Sequence, residues 1–353
     1  MVARPVSAAL ATWRAVAADK DVQIIPFEVK YLDETLALLK RWSPDHPELG
    51  ERSLYDWQRC TRYLAMKDGR VVGHIGQMQH EFRHGDGGPP VQLGWGITLV
   101  LDMSDDSTRK MAGRGLLKAC EDAPGLKYAA VGVVPTIEPA YLRRGHQIRR
   151  DGSNYYARFF RPGKALTYWK KSAALTPLML AANLVRRPRT RPRFGQVEPI
   201  PQFSPEWDAT WDRLLSGRYE LYGARNAEFL NHKLAQPNRT YFRFVHRDAS
   251  GAVDGYVVYR RARHKTRDLD LVKICDFVGT ETAQQDLLAE AMRYAVTEAS
   301  GTYGIVGLSA ALDAAAFRAA GMYIAQPYPV VLAAGVAGRP RVSFFDSDLD
   351  NLW

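Results

Sequence analysis

The alternation of apolar and polar residues predicts a mixed series of strands and helices in the first half of the chain. A period of two indicates strands, apolar residues three and four positions apart indicate helices, and Asp68-Gly69 supplies a hairpin turn. The predicted elements are, in order, a strand at 23–28, a helix at 32–42, a helical stretch carrying Leu54, Trp57 and Cys60, a hairpin of strands 63–66 and 71–78, a strand at 91–102, a loop leading into a helix over 107–121, a strand at 128–134, a helix at 139–144 and a strand at 153–160. The half is therefore a mixed α/β unit with a hairpin-rich start and one helical crossover.

The second half repeats this order, and one short motif recurs with it. Its predicted elements are helices at 203–215 and 227–234, a hairpin of strands 241–246 and 253–261, a strand at 269–278, a helix at 282–299, a strand at 303–308, a helix at 311–320 and a strand at 323–333. The motif Ala140-Tyr141-Leu142-Arg143-Arg144-Gly145-His146 returns as the weaker Ala316-Phe317-Arg318-Ala319-Ala320-Gly321-Met322. The pattern predicts one module present twice, in the α/β class with a mixed α+β sheet.

Length and composition agree with two globular modules. The chain has 353 residues, of which 46% are apolar and 24% charged, so each half can bury a core. The predicted domains are 1–165, a linker with an apolar helix and a basic Pro/Arg segment at 166–200, a second domain at 201–340 and a tail at 341–353.

The net charge of +10 is concentrated around residues 170–193. Prolines and like charges at 186–193 favour a solvated linker. A second reading is a peripheral contact with an anionic membrane, in which an apolar helix face meets lipid beside the basic residues. That face and its flanking charges comprise Leu175, Leu178, Leu180, Leu184, Val185, Lys170, Lys171, Arg186, Arg187, Arg189, Arg191 and Arg193. Nucleic acid is disfavoured as a partner because no binding motif accompanies the charge.

Several classes of protein are excluded by what the sequence lacks. Cys60, Cys120 and Cys275 have neither disulfide-framework nor zinc-ligand spacing, and the eight histidines show no ligand pattern, so no metal is expected. The apolar run at 172–185 is shorter than the ~20 residues that span a bilayer. Residues 1–18 do not fit a signal peptide. A cytoplasmic, metal-independent protein is expected.

On these elements and motifs the chain resembles the GNAT superfamily of acyl-CoA-dependent N-acyltransferases, in its tandem two-domain form. The resemblance rests on the strand and helix at 99–121, on Tyr141-x-x-x-Gly145-His146 and its second-half copy, and on the phrase Arg225-Asn226-Ala227-Glu228-Phe229-Leu230-Asn231-His232-Lys233. It implies two GNAT-like domains, each a mixed, mostly antiparallel sheet flanked by helices.

The resemblance also implies an acyl-CoA site in the first domain. The family holds the CoA pyrophosphate on backbone N–H groups where a helix begins, and the matching segment here is 108–117, in which Met111 replaces the first family glycine. The implied cofactor-binding residues are Leu99, Val100, Leu101, Arg109, Lys110, Ala112, Gly113, Arg114 and Gly115. The corresponding second-half segment, 276–282, is acidic and has one glycine, so CoA is not expected to bind there.

Transfer of an acyl group to an amine requires a base for the amine and an acid for the departing thiolate. The resemblance assigns the acid to Tyr141, while the matching Phe317 cannot donate a proton. Glu138 and Asp102 are candidate bases, with His74 as a further candidate. A backbone N–H at 99–101 would stabilise the oxyanion.

The sequence thus predicts an enzyme that transfers an acetyl or other acyl group from CoA to an amine of a small metabolite, an amino sugar or a glycan. The second domain would shape the acceptor cleft. Two alternatives stay open: a non-catalytic GNAT-like protein that binds a membrane or polymer surface, and an aminoacyltransferase that uses transfer RNA.

Overall fold

The fold was analysed in a computed structural model of the chain. It describes residues 22–43, 46–133, 135, 137–163, 166, 174, 176–185, 190–264, 269–299 and 301–346.

Within its described residues, the first half forms six strands and four helices. Its strands are β1 Gln23–Pro26, β2 Cys60–Lys67, β3 Arg70–His84, β4 Val91–Leu101, β5 Lys127–Val131 and β6 Gln147–Phe159. Its helices are α1 Leu32–Trp42, α2 Arg52–Trp57, α3 Asp106–Glu121 and α4 Glu138–Arg143, with 3₁₀ turns at Val29–Tyr31 and Pro47–Gly50. α5, Thr176–Val185, follows before the second half.

The second half repeats the series. Its strands are β7 Gln196–Pro199, β8 Leu221–Gly223, β9 Phe242–Arg247, β10 Val253–His264, β11 Leu269–Gly279, β12 Gly304–Ala310, β13 Tyr323–Leu332 and β14 Pro340–Arg341. Its helices are α6 Asp208–Ser216, α7 Ala227–Leu234, α8 Glu281–Thr297 and α9 Ala314–Ala319, with 3₁₀ turns at Pro205–Trp207, Ala311–Asp313 and Phe344–Asp346.

One continuous sheet joins the two halves, and their closing strands are interchanged. The strand order is β1-β2-β3-β4-β5-β13-β6-β12-β11-β10-β9-β7. β13 of the second half pairs with β5 and β6 of the first, and β6 in turn pairs with β12 of the second. Each half therefore depends on the other to complete its sheet, so folding of the two is expected to be cooperative.

The repeated motif forms the same helix end in both halves. Gly145 follows α4 with φ +82° and Gly321 follows α9 with φ +78°. The next N–H returns to the helix in each case, from His146 to the Tyr141 carbonyl at 3.1 Å and from Met322 to the Phe317 carbonyl at 2.8 Å. Glycine adopts this left-handed conformation without steric cost, so the glycine of the motif is a helix stop.

The two faces of the sheet carry different layers in the first half. α3 packs through Ala112 and Leu116 against Ile75 on one face, and Trp95 and Ile97 belong to a core cluster on the other. Neighbouring residues of a strand point to opposite faces. The change of face between Gly96 and Ile97 therefore separates the two sides of the site described below.

The structure differs from the sequence-based expectation at several elements. Cys60 opens strand β2 and does not belong to a helix. β6 begins at Gln147 because β13 supplies an antiparallel partner for its polar first residues. The short strands β7, β8 and β14 had no sequence signal. Residues 341–346, assigned to a tail, are buried against β8 and β11.

Candidate active site

The parallel strands β4 and β5 separate partway along their length. Their ladder holds only three residue pairs and ends at Trp95 and Ala129. β4 continues to Leu101, whereas β5 pairs along its other edge with β13. Backbone groups of β4 beyond Trp95 thus border an opening in the sheet.

A β-bulge deforms β4 at this opening. The pairing with β3 shifts between Gly76, opposite Ile97, and His74, opposite Val100. Thr98 within the bulge has φ +50°, a strained value for a β-branched residue. Nδ1 of His74 lies 3.1 Å from the Thr98 carbonyl oxygen and donates to it in the corresponding tautomer. Strain of this kind persists where surrounding contacts fix it, and it is concentrated at functional sites.

Two tyrosines meet on the α3 face of the opening. The hydroxyls of Tyr128, on β5, and Tyr141, on α4, lie 3.1 Å apart. A Cβ added to Gly96 would lie 2.7 Å from the Tyr128 hydroxyl, so that hydroxyl stands directly against β4. Burial raises the pKa of both phenols. Both therefore stay protonated at neutral pH and can donate a proton.

A cavity of about 320 Å³ lies on the opposite face, between the two halves. Its size falls within the ~300–1,000 Å³ typical of ligand pockets. Ile97, Met78 and Cys60 line it from the sheet, Trp57 lines it from the end of α2, and α7 lines it from the second half. Ile97, which lines the cavity from β4, directly precedes the strained Thr98 in the chain.

The wall from the second half comes from the phrase Arg225–Lys233. Asn226 caps α7 by accepting the Phe229 N–H at 2.8 Å. The Phe229 ring stacks on His80 of β3, with centroids 4.3 Å apart, and Lys233 lies 5.6 Å from the Phe229 centroid. Sequence reasoning noted this phrase only as a family likeness and missed His80 and Trp57. The rings of Phe229 and His232 in this phrase were the sequence feature that could have indicated a binding surface.

A buried ion network stands behind this wall. Arg225 donates from Nε to Asp276 at 2.5 Å and from a terminal nitrogen to Asp346 at 2.7 Å. Arg341 adds a 3.0 Å bond to Asp276. Nδ1 of His80 lies 3.4 Å from Asp346 Oδ1. The network thereby joins the end of the described chain to the cavity.

The other predicted catalytic residues do not converge with Tyr141. Glu138 is ion-paired with the exposed Arg150. Asp102 accepts the Ser104 N–H at 2.9 Å, and this bond, with the Ser104 hydroxyl, lowers the pKa of Asp102. Each carboxylate therefore has a local partner of its own, and neither lines the described cavity.

The predicted cofactor-binding segment is not a loop. Residues 108–117 all lie inside α3, which includes Arg109, Lys110, Ala112 and Arg114. Gly115 faces β1, where an added Cβ would lie 2.6 Å from Ile24, and Gly113 faces Leu101. These two glycines allow close packing of the helix on the sheet. Leu99, Val100 and Leu101, by contrast, do border the opening.

The second half has a related opening that is filled. β11 and β12 pair only from Leu271 to Ile274. Phe317 stacks on Tyr156 there at a centroid distance of 3.9 Å and is fully buried. Asp276, the first residue of the acidic segment 276–282, lies in β11 within the buried ion network.

Only part of the basic segment at 170–193 is described. α5 presents Leu178 and Leu180 to solvent, and the backbone N–H of Arg193 donates to Asp286 of α8 at 2.8 Å. Lys170, Lys171, Leu175, Arg186, Arg187 and Arg189 lie outside the described residues. Within the described ranges, none of the helices combines the length and apolar character needed to cross a bilayer, and no cluster of metal-ligating side chains is found.

Two buried histidines predict a loss of stability as the pH falls from about 6.5 to 4. Burial lowers the pKa of His74 to about 4, although the hydrogen bond to the Thr98 carbonyl acts in the opposite direction. Burial likewise lowers the pKa of His80 to about 4, although the negative charge of Asp346 acts to raise it. The unfolded chain takes up these protons near pH ~6.5, while the folded chain resists them. The free energy of unfolding should therefore fall by roughly 2 kcal/mol per pH unit in this window.

Denaturant unfolding at about pH 7, 5.5 and 4.5 measures this slope. The double variant His74→Gln, His80→Gln is the control, because an amide can donate to the Thr98 carbonyl but does not titrate. Its unfolding free energy should change less with pH than that of the wild type. A wild-type stability that is constant across the window would contradict the assignment.

Comparison with known proteins identifies the fold. No protein-family model and no curated protein sequence matches the chain. The Saccharomyces cerevisiae N-myristoyltransferase with bound myristoyl-CoA matches with a TM-score of 0.59 and 11% identity, over 96% of this chain and 88% of that one. A GCN5-related N-acetyltransferase from Anabaena variabilis matches with a TM-score of 0.57 and 11% identity, over 88% and 72%. A probable N-acyltransferase from Enterococcus faecalis matches with a TM-score of 0.56 and 11% identity, over the same shares.

These likenesses confirm the predicted fold. The chain has a GNAT-like fold in a tandem arrangement, with one mixed sheet flanked by helices.

Proposed function

We propose that this GNAT-fold chain is an N-acyltransferase, which moves an acyl group from a CoA thioester to an amine bound between its two halves. The observation that carries the proposal is the arrangement around Thr98. A tyrosine pair stands on one face of the sheet at Gly96, an acceptor-sized cavity lies on the other face at Ile97, and a strained bulge separates them. The solved N-myristoyltransferase with bound myristoyl-CoA supports an acyl-CoA donor.

The chemistry follows from these positions. The amine nitrogen attacks the thioester carbon from the cavity side, and a carbon–nitrogen bond forms as the carbon–sulfur bond breaks. A backbone N–H between Leu99 and Leu101 stabilises the oxyanion in the transition state. The departing thiolate takes a proton from the Tyr128–Tyr141 pair, whose hydroxyls are held together and protonated. The proton lost by the amine passes to water, and a proton from water restores the tyrosine hydroxyl for the next turnover.

The cavity favours a small amine over a polymer segment. Its volume of about 320 Å³ accommodates a metabolite or one amino sugar. Aromatic surfaces at Trp57 and Phe229 provide stacking area, and Arg59, Lys233 and Glu228 provide charges of both signs. An acceptor carrying its own anionic group beside the amine would match this mixture. A peripheral membrane contact through 170–193 is compatible with the same reaction, because α5 exposes leucines.

The test is a coupled measurement of binding and transfer. Acetyl-CoA and myristoyl-CoA should each be titrated while the melting temperature is followed, and a ligand at ~100 times its Kd adds about 2.7 kcal/mol. A panel of small amines is then screened by free thiol release, with the acylated product identified by mass. Thiol release that depends on the amine is expected. Absence of both a melting shift and amine-dependent thiol release, with millimolar donor, would contradict the proposal.

A further inference from the structure

The start of α3 is occupied by the chain's own carboxylates. Asp105 caps the helix by accepting the Ser107 N–H at 3.0 Å. The same carboxylate accepts the Thr108 hydroxyl and receives the Lys67 ammonium at 3.2 Å. A family member that holds CoA would offer N–H groups at this point to the pyrophosphate. In this chain one of those donors already has an anionic partner.

The cations beside this helix end are paired as well. Asp106 forms ion pairs with Arg109 and with Lys110, the latter at 2.6 Å. The Thr108 hydroxyl and the Lys67 ammonium lower the pKa of Asp105 to about 2, so it is ionised under all ordinary conditions. Asp105 and Asp106 thus hold Lys67, Arg109 and Lys110 in ion pairs that a pyrophosphate would have to break before it could use these cations.

The backbone around α3 does not compensate for these charges. The segment between β4 and α3, residues 102–105, contains no glycine, and Asp102 already accepts the Ser104 N–H. Gly113 and Gly115 are used in helix–sheet packing. In the second half, α8 starts at Glu281 and is capped by Thr280, whose hydroxyl donates to Asp254. The described start of α8 is therefore also acidic and capped.

We propose that the enzyme recognises its donor by the acyl thioester and the pantetheine arm at the β4–β5 opening, without a pyrophosphate site at α3. The inference rests on the proposed function and specifies its donor: a pantetheine thioester, whatever the arm is attached to. The reaction is unchanged, because the bond that breaks joins the acyl carbon to the pantetheine sulfur. The nucleotide of CoA contributes little to catalytic efficiency.

The experiment compares matched donors on the wild-type protein. With one amine acceptor, kcat/KM is measured for acetyl-CoA against acetyl-pantetheine and for myristoyl-CoA against myristoyl-pantetheine. The members of each pair should agree within about threefold, since no charged contact distinguishes them. A CoA donor that is 30-fold or more better would overturn the inference while leaving the proposed function intact. Transfer from neither donor would contradict the proposed function and with it this inference.

A binding measurement tests the same point without turnover. Free CoA and free pantetheine are titrated against the wild type and against the double variant Asp105→Asn, Asp106→Asn. Asparagine remains a good helix cap, so the variant keeps α3 while losing two negative charges. Its affinity for CoA should rise about tenfold, with pantetheine unchanged. Asp122→Asn, which alters an exposed carboxylate paired with Lys118 at the other end of α3, is the matched control. Equal CoA affinity in all three proteins, tighter than that for pantetheine, would overturn the inference.

Discussion

Replacement of Arg225 by methionine is expected to lower the free energy of unfolding by about 3–5 kcal/mol. Arg225 is fully buried between Asp276 and Asp346 and also donates to the Ser343 hydroxyl at 3.2 Å. Methionine fills similar space but leaves two buried carboxylates short of a cation. Arg341 can compensate for only part of this loss, since it donates to Asp276 and to the Phe277 carbonyl and forms no ion pair with Asp346 within the described residues. Denaturant unfolding at neutral pH measures the change.

An exposed pair supplies the control for this prediction. Arg339 bonds Glu220 with about half of each side chain exposed, so Arg339→Met should cost less than ~1 kcal/mol. Adding Asp276→Asn to Arg225→Met should restore part of the lost stability, because it removes one of the uncompensated charges. A loss below about 1.5 kcal/mol in Arg225→Met would show that the network contributes little.

The network also predicts a second acidic transition, separate from the one assigned to the histidines. Burial opposes ionisation of Asp346, but the charges of Arg225 and His80 outweigh it and lower its pKa to about 2. A carboxyl with a depressed pKa in the folded state stabilises fully above its unfolded pKa of ~3.9. That contribution is lost as the pH falls towards 2. Below pH ~4, the free energy of unfolding should therefore fall less steeply with pH in Arg225→Met than in the wild type, because the ion pairs are already broken in the variant.

Replacement of Ile97 by tryptophan is expected to reduce kcat/KM for the amine acceptor at least 100-fold, or about 2.7 kcal/mol of transition-state stabilisation. Ile97 lines the cavity next to the bulge at Thr98. An indole there would occupy the space through which the amine must approach the thioester. Donor binding on the α3 face should persist, so the melting shift produced by acyl-CoA should be retained. Steady-state kinetics with saturating donor measures the effect.

A matched substitution separates this effect from general damage. Ile324 lies on β13 outside the cavity lining and is 45% exposed, so Ile324→Trp should keep the wild-type rate within about twofold. If Ile97→Trp retained a kcat/KM within threefold of the wild type, the cavity between the halves would not be the acceptor site. Loss of both the melting shift and the activity would instead indicate a folding defect, and the smaller variant Ile97→Phe would then replace it.

Local patterns were sufficient for most elements. α1 and α7 occupy the predicted ranges 32–42 and 227–234, because apolar residues repeat at helical spacing between clear start and stop signals. The hairpins formed by β2 with β3 and by β9 with β10 were also predicted, since each has a turn sequence between apolar alternations. The GNAT-like fold is confirmed by solved structures with only 11% identity.

The candidate site was predicted less well. Tyr141 and the end of β4 were identified, and they do lie on two sides of the opening. Gly113 and Gly115, expected in a phosphate-binding loop, lie within α3 and pack it against the sheet. A glycine in a sequence marks either feature equally well. His74 and Thr98 could not be linked in advance, since a bulge depends on the register of two strands.

The sequence by itself determined most of the strands and helices, the doubled module and the tyrosine that the two copies do not share. These features depend on residues near one another in the chain, whose spacing expresses local preferences directly. The tertiary structure alone decided the exchange of β6 and β13, the cavity between Trp57 and Phe229, and the burial of Arg225 with Asp276 and Asp346. Those contacts join residues far apart in sequence, and only burial of both halves against one another makes their pairing favourable.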